Sequence, residues 1–239
     1  MERKLPMGPY GIYVSETHTF SMDAVLLAAF VSAGRQAAQA VDLCCGCGAV
    51  ALGLLFRGGA RTVTGVELQP EAAALLRRTG TENGLEDRLS ILVGDIKTTL
   101  PLKAGAADLV TCNPPFREAH AAKHSADRAR AAARGETACT LEDAVRCAAR
   151  LLRQGGRLAL CQRPARLPDC FQLLRQYGLE PKRLRFAAYD RHRQPWLFLV
   201  EAVKGGGRQL TVEPLFTVMD GQEHSAEYHA LYELSLIHI

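Results

Sequence analysis

Short apolar runs alternate with segments of helical periodicity along most of the chain. Ala40–Cys44, Thr62–Glu67, Leu89–Val93, Ala107–Cys112 and Arg157–Cys161 have the length and β-branched content of buried strands. Between them, Ala49–Arg57, Pro70–Glu82, Thr140–Arg153 and Pro168–Tyr177 repeat their apolar residues at helical spacing. Local punctuation agrees. Pro70 opens one helix, Thr140 with Asp143 makes a capping pair, and Gly58-Gly59, Asn83-Gly84 and Gly155-Gly156 close three helices. Two more strands are expected near Arg183–Ala188 and Trp196–Val203. Strands alternating with helices predict an α/β fold, a mostly parallel sheet with helices on both faces.

The ends of the chain depart from this rhythm. Residues 1–20 read as loops with room for a short hairpin. An apolar helix follows, capped by Ser21, with Asp23 in its first turn and Val25, Leu26, Ala29 and Phe30 on one face. Arg117–Glu136 is rich in Ala, Arg and His and lacks large aliphatics, as in an exposed insertion. From Pro214 the chain reads as an irregular tail, whose last residues, 235–239, carry no role. The division expected is an N-terminal segment, 1–34, over the functional site, a main domain, 35–213, and the tail, 214–239.

Composition narrows the class. The 239 residues are 48% hydrophobic and 23% charged, as in ordinary globular domains, and the net charge of +4 permits an anionic partner. Eight cysteines show no disulfide framework, and Cys44, Cys45 and Cys47 are followed by no second ligand pair at zinc-like spacing. They read as reduced thiols of a cytosolic protein, with no metal. The N-terminus has no apolar signal core, and Ala24–Ser32 is too short to span a bilayer.

The first βα junction, Val41-Asp-Leu-Cys-Cys-Gly-Cys-Gly-Ala-Val-Ala51, fits the nucleotide-binding pattern G-x-G-x-x-A through Gly46, Gly48 and Ala51. Glu67 ends the next strand, where a carboxylate that binds ribose hydroxyls belongs. Two nucleotides compete for such a turn. NAD brings a pyrophosphate to the helix N-terminus. S-adenosylmethionine brings an ammonium, which wants an acid at the end of the first strand, and Asp42 is there. Asp95 ends the third strand and could accept from an adenine amino group while the Ile96 N–H donates to the ring. Asp42, Glu67, Asp95 and Asn113 each end one of four strands, so one crevice gathers all four.

Asn113-Pro-Pro-Phe116 then supplies an acceptor site for a weakly nucleophilic amine. The Asn113 side-chain carbonyl and the Pro114 backbone carbonyl can hold amino hydrogens and aim the nitrogen lone pair. Pro114 and Pro115 stiffen the backbone that carries them, and Phe116 offers a stacking face for a planar base.

These stretches, with Thr19-Phe-Ser-Met-Asp-Ala-Val-Leu-Leu27, Gly94-Asp-Ile96, Cys139-Thr-Leu-Glu-Asp143 and Leu152-Arg-Gln-Gly-Gly156, resemble class I S-adenosylmethionine-dependent methyltransferases. More closely, they resemble the bacterial tRNA (adenine-N6)-methyltransferases acting on adenine 37 of valine tRNA. The resemblance implies a Rossmann-like fold with a mostly parallel seven-stranded sheet. It implies that Asp42, Gly46, Gly48, Glu67, Leu68, Asp95, Ile96 and Asn113 hold the cofactor S-adenosyl-L-methionine, with Phe20 and Asp23 closing over it. By the same resemblance Asn113, Pro114, Pro115 and Phe116 hold the target base. Cys44 stands where many such enzymes have a glycine. Phe116 replaces a commoner Tyr, which leaves adenine N6 and guanine N2 both open.

The partner expected is RNA, most readily tRNA. Arg117, Lys123, Arg128, Arg130 and Arg134 are candidate phosphate contacts, and basic residues from Arg163 to Arg208 could ring the pocket mouth. A ribosomal RNA base or a protein glutamine amide would suit the same Asn-Pro-Pro loop. A cofactor-binding module that no longer catalyses is the alternative outside enzymology.

Overall fold

The computed structural model describes residues 2–114 and 139–233. A hairpin of β1 (Arg3–Met7) and β2 (Tyr10–Val14) leads into α1 (Met22–Ser32). The alternating region follows: β3 (Ala37–Leu43), α2 (Ala49–Phe56), β4 (Ala60–Glu67), α3 (Pro70–Glu82), β5 (Leu89–Val93) and β6 (Ala107–Cys112). After the segment outside the described residues come α4 (Leu141–Leu151), β7 (Leu152–Gln162), a short 3-10 turn at Pro164–Arg166, α5 (Leu167–Gln176), β8 (Leu179–Ala188) and β9 (Leu197–Lys204).

Seven long strands form one sheet in the order β8-β9-β7-β6-β3-β4-β5. Two strands of two residues each, β10 (Thr211–Val212) and β11 (Phe216–Thr217), extend it to nine along β8. The pairs from β7 through β5 are parallel, while β9 runs antiparallel to both β7 and β8. One face carries α1, α2 and α3, with Leu27, Leu52 and Leu76 fully buried. The other carries α4 and α5, with Val145, Ala148, Cys170 and Leu174 buried. Thr140 and Asp143 cap α4 reciprocally: each side chain accepts the other's backbone N–H, at 3.1 and 3.0 Å.

The structure corrects three expectations. The 214–239 tail is not irregular throughout: after β11 come a small hairpin, β12 (Met219–Asp220) with β13 (Glu223–His224), and α6 (Ala226–Glu233). Phe216 and Leu231 bury against the α1 face. Strands of two residues and a helix with little amphipathic signal leave almost no periodicity to read. The α4 helix also stops at Leu151, because β7 begins at Leu152 instead of after the glycine pair. Ser21 sits at the N-cap of α1, yet its side chain makes no capping bond.

Chain order steps outward from β3 to β4 and β5, then returns to place β6 on the other side of β3. Loops leaving β3 and β6 therefore diverge and open a crevice between them. In open α/β sheets that reversal point is where ligands bind.

Candidate active site

The crevice is a cleft of about 290 Å³. Asp42, the Cys44–Cys47 turn, Ala49 and Val50 line one side, Thr19, Phe20, Ser21 and Ala24 another, and Asn113 closes it.

The turn is built from left-handed residues. Cys44 has φ +55°, Gly46 φ +54° and Gly48 φ +93°. The two glycines have different jobs. A side chain at Gly48 would run into Leu76 of α3, its Cβ lying 2.2 Å from Leu76 Cδ1. A side chain at Gly46 would meet nothing within 4 Å, so only backbone conformation and open space toward a ligand require glycine there. Cys44 is the sole non-glycine with positive φ among the described residues, which costs on the order of 1 kcal/mol. It is the residue that stands where many enzymes of the resembled class have a glycine.

Asp42 lies at the floor, 1% exposed. Its Oδ1 accepts a hydrogen bond from the Thr111 hydroxyl at 2.7 Å, across the paired strands β3 and β6. Its Oδ2 has no hydrogen-bond partner. Burial pushes this carboxyl up to about 7, against the pull of the Thr111 hydroxyl, and Glu67 adds to the rise. A buried acid with one unused oxygen is suited to receive a cationic donor.

Glu67, buried at the end of β4, spans the turn: Oε2 accepts from the Gly46 N–H at 2.8 Å and Oε1 from the Gln69 N–H at 2.9 Å. Each oxygen retains a second lone pair for a hydroxyl donor. Asp95 stands two strands away from Asp42, half-buried, with Oδ1 accepting from the Lys97 N–H at 2.9 Å. Ile96 is buried beside it. Leu68 and Val93, at the ends of β4 and β5, are apolar yet exposed. A planar group laid across the edge would cover them.

Asn113 and Pro114 follow β6 directly, Asn113 half-buried and Pro114 buried. The sheet order refines the expected row. Asn113 neighbours Asp42, so the sequence along the edge is Asn113, Asp42, Glu67, Asp95. Pro115, Phe116 and the candidate phosphate contacts Arg117, Lys123, Arg128, Arg130 and Arg134 lie outside the described residues. The described residues on either side of that segment are near cleft-lining ones: Pro114 follows Asn113, and Cys139 Sγ rests 3.5 Å from Cys44 Sγ.

Asp23 is buried, and its Oδ1 accepts from the Trp196 indole N–H at 3.0 Å, a bond that braces α1 behind Phe20. One expectation is corrected by geometry. Most of the later basic residues are structural. Arg183 pairs with Glu213, Arg185 with Glu227, and Lys204 caps the carbonyls of Ala149 and Leu152 at 2.6 and 2.8 Å. Lys182 and Lys204 also sit at the opposite edge of the sheet, because β8 starts and β9 ends there. Thr111 and Cys161 are site residues that periodicity hid. Thr111's signal is its polarity in the strand that pairs with Asp42.

Residues 15–176 match the family model described as the methyltransferase small domain. The chain belongs to the methyltransferase small domain family. A tRNA1(Val) (adenine(37)-N6)-methyltransferase of Porphyromonas gingivalis is 34% identical over 185 residues, covering 75% of this chain and 72% of the relative. A ribosomal protein uL3 glutamine methyltransferase of Bordetella pertussis is 33% identical over 90 residues, covering 38% and 30%. Among solved structures, a predicted O-methyltransferase of Agrobacterium tumefaciens superposes with a TM-score of 0.70 at 21% identity, covering 89% of this chain and 96% of that one. That likeness speaks to the fold.

The cleft of this methyltransferase fits S-adenosylmethionine. Asp42 Oδ2 is buried and unpartnered at the floor, where an ammonium would complete it, the turn is open at Gly46, and Glu67 stands one strand further along the edge. Among the described residues no group of three His, Cys, Asp or Glu side chains forms a metal site, and no helix is long and apolar enough to cross a membrane.

Proposed function

We propose that this methyltransferase transfers a methyl group from S-adenosylmethionine to the exocyclic N6 amine of an adenine in tRNA. The observation that carries the reading is the juxtaposition of Asn113-Pro114 with the unpartnered Oδ2 of Asp42 on adjacent strand ends of one cleft. When bound, the cofactor supplies an electrophilic methyl on a sulfonium. The chain's own residues do the rest by position. Asp42 and Glu67 fix the donor, and Asp95, Ile96 and Leu68 take its base. The Asn113 amide oxygen and the Pro114 carbonyl accept the two amino hydrogens, which turns the nitrogen lone pair toward the cleft. No general base is needed first, because methylation itself acidifies the N–H. Phe116 stacks on the target base, and the basic run Arg117–Arg134 meets phosphates.

The same Asn-Pro pair would serve a glutamine amide, the substrate class in the Bordetella relative's name. Five basic against two acidic residues in Arg117–Arg134 favour nucleic acid. Labelled S-adenosylmethionine incubated with unmodified tRNA, followed by nucleoside analysis, tests the reading. Label in N6-methyladenosine is the expected result. Label in N2-methylguanosine, or label that survives ribonuclease on protein, overturns it. Asn113→Ala should lower turnover at least 100-fold while cofactor affinity holds.

A further inference from the structure

An asparagine carboxamide has two faces of nearly equal shape. Turned one way it offers an acceptor to a target amine; flipped, it offers a donor and repels it. A site that depends on Asn113 therefore needs something to fix the amide, and preceding Pro114 fixes only its backbone.

Cys161 lies on β7, the strand paired with β6 next to Asn113, and is fully buried. Its Sγ is 3.1 Å from Asn113 Oδ1. A thiol S–H can donate to that oxygen, whereas the amide NH₂ in the same place would find only the weak acceptor of the sulfur. The oxygen keeps a second lone pair. Burial pushes the Cys161 thiol well up, and nearby Asp23 adds to the effect, so the proton stays on sulfur. Asp23 is itself held by Trp196. The thiol is thus a buried group with a defined partner and no part in the transfer described above.

We propose that Cys161 is a positioning residue, whose S–H holds the Asn113 carboxamide with its oxygen as the acceptor for the target amine. The proposal rests on the reading of Asn113 as the amine holder. It separates Cys161 from buried thiols such as Cys147 and Cys170, which pack among apolar side chains as small hydrophobes.

The test compares Cys161→Ala with Cys161→Ser, using a tRNA1(Val) transcript and S-adenosylmethionine. Alanine and serine leave holes of similar size and differ in the donor. Cys161→Ala should lower kcat about five- to tenfold, with the KM for S-adenosylmethionine within twofold, and Cys161→Ser should recover most of that loss. Cys161→Val fills the space without a donor and should behave like Ala, which guards against a cavity effect. In an Asn113→Ala background, Cys161→Ala should add no further loss. Equal kcat for Ala and Ser, or an undiminished drop in the Asn113→Ala background, overturns the positioning role and leaves the Asn113 reading intact. Full turnover by Asn113→Ala alone overturns both.

Discussion

Two buried carboxylates on one sheet are treated in opposite ways. Glu201, on the antiparallel side, is 5% exposed and meets two guanidiniums, Arg157 at 2.8 Å and Arg183 at 3.5 Å. Asp42, on the parallel side, is as deeply buried but meets a neutral hydroxyl and leaves one oxygen unpartnered. The antiparallel region supplies its own countercharges. The region around the β3–β6 crevice leaves one out. Glu201 is held by cations of its own chain; under the proposed function, Asp42 receives its cation from the cofactor.

Removing Glu201 should produce the largest effect. Glu201→Ala strands the buried Arg157 and should cost about 3–5 kcal/mol of unfolding free energy, with cofactor affinity unchanged in the folded fraction. Denaturant titration with cofactor titration measures both. A variant as stable as the parent would break the contrast.

Protonation of Asp42 comes next. Its folded value of about 7 lies above the ordinary 3.8, so the folded chain holds a proton that the unfolded chain has already lost between those values. Stability from this group is complete below pH 4 and falls as pH rises to 7. The parent should lose a few kcal/mol relative to Asp42→Asn over that window. Urea unfolding at pH 4, 5.5 and 7 reads the difference. Parallel curves for the two proteins would show that Asp42 has no raised affinity for its proton. An ammonium favours the ionised form, so cofactor affinity should move the opposite way and tighten from pH 6 to 8.

The smallest effect concerns the turn. Cys44→Gly relieves a left-handed non-glycine and should stabilise the fold by about 0.5–1 kcal/mol, a rise of roughly 2 °C in Tm. A lower Tm would mean that the thiol's contact with Cys139 outweighs the backbone cost.

The strand ends were legible because a polar residue marks each of them: Asp42 one residue before the end of β3, Glu67 at the end of β4 and Asn113 just after β6. The glycine turn was legible in its spacing. What the sequence hid depends on pairing across the sheet. Thr111 reads as an ordinary β-branched residue until β6 lies beside β3. Cys161 reads as core until β7 brings it under Asn113. Asp23 passes for a helix-start acid, and only the distant Trp196 reveals its partner. Charge was least informative: Arg183, Arg185 and Lys204 resemble a basic rim, yet long side chains reach back to their own fold.

The central claim is that Asp42 leaves a place for the cofactor's ammonium. Calorimetric titration of the parent and of Asp42→Asn with S-adenosylmethionine and with 5′-methylthioadenosine, which lacks the amino-acid moiety, tests it directly. The account predicts about 100-fold weaker binding of S-adenosylmethionine by Asp42→Asn, roughly 2.7 kcal/mol, and equal binding of methylthioadenosine by both proteins. Equal affinity of both proteins for S-adenosylmethionine, or an equal loss for both ligands, would contradict it.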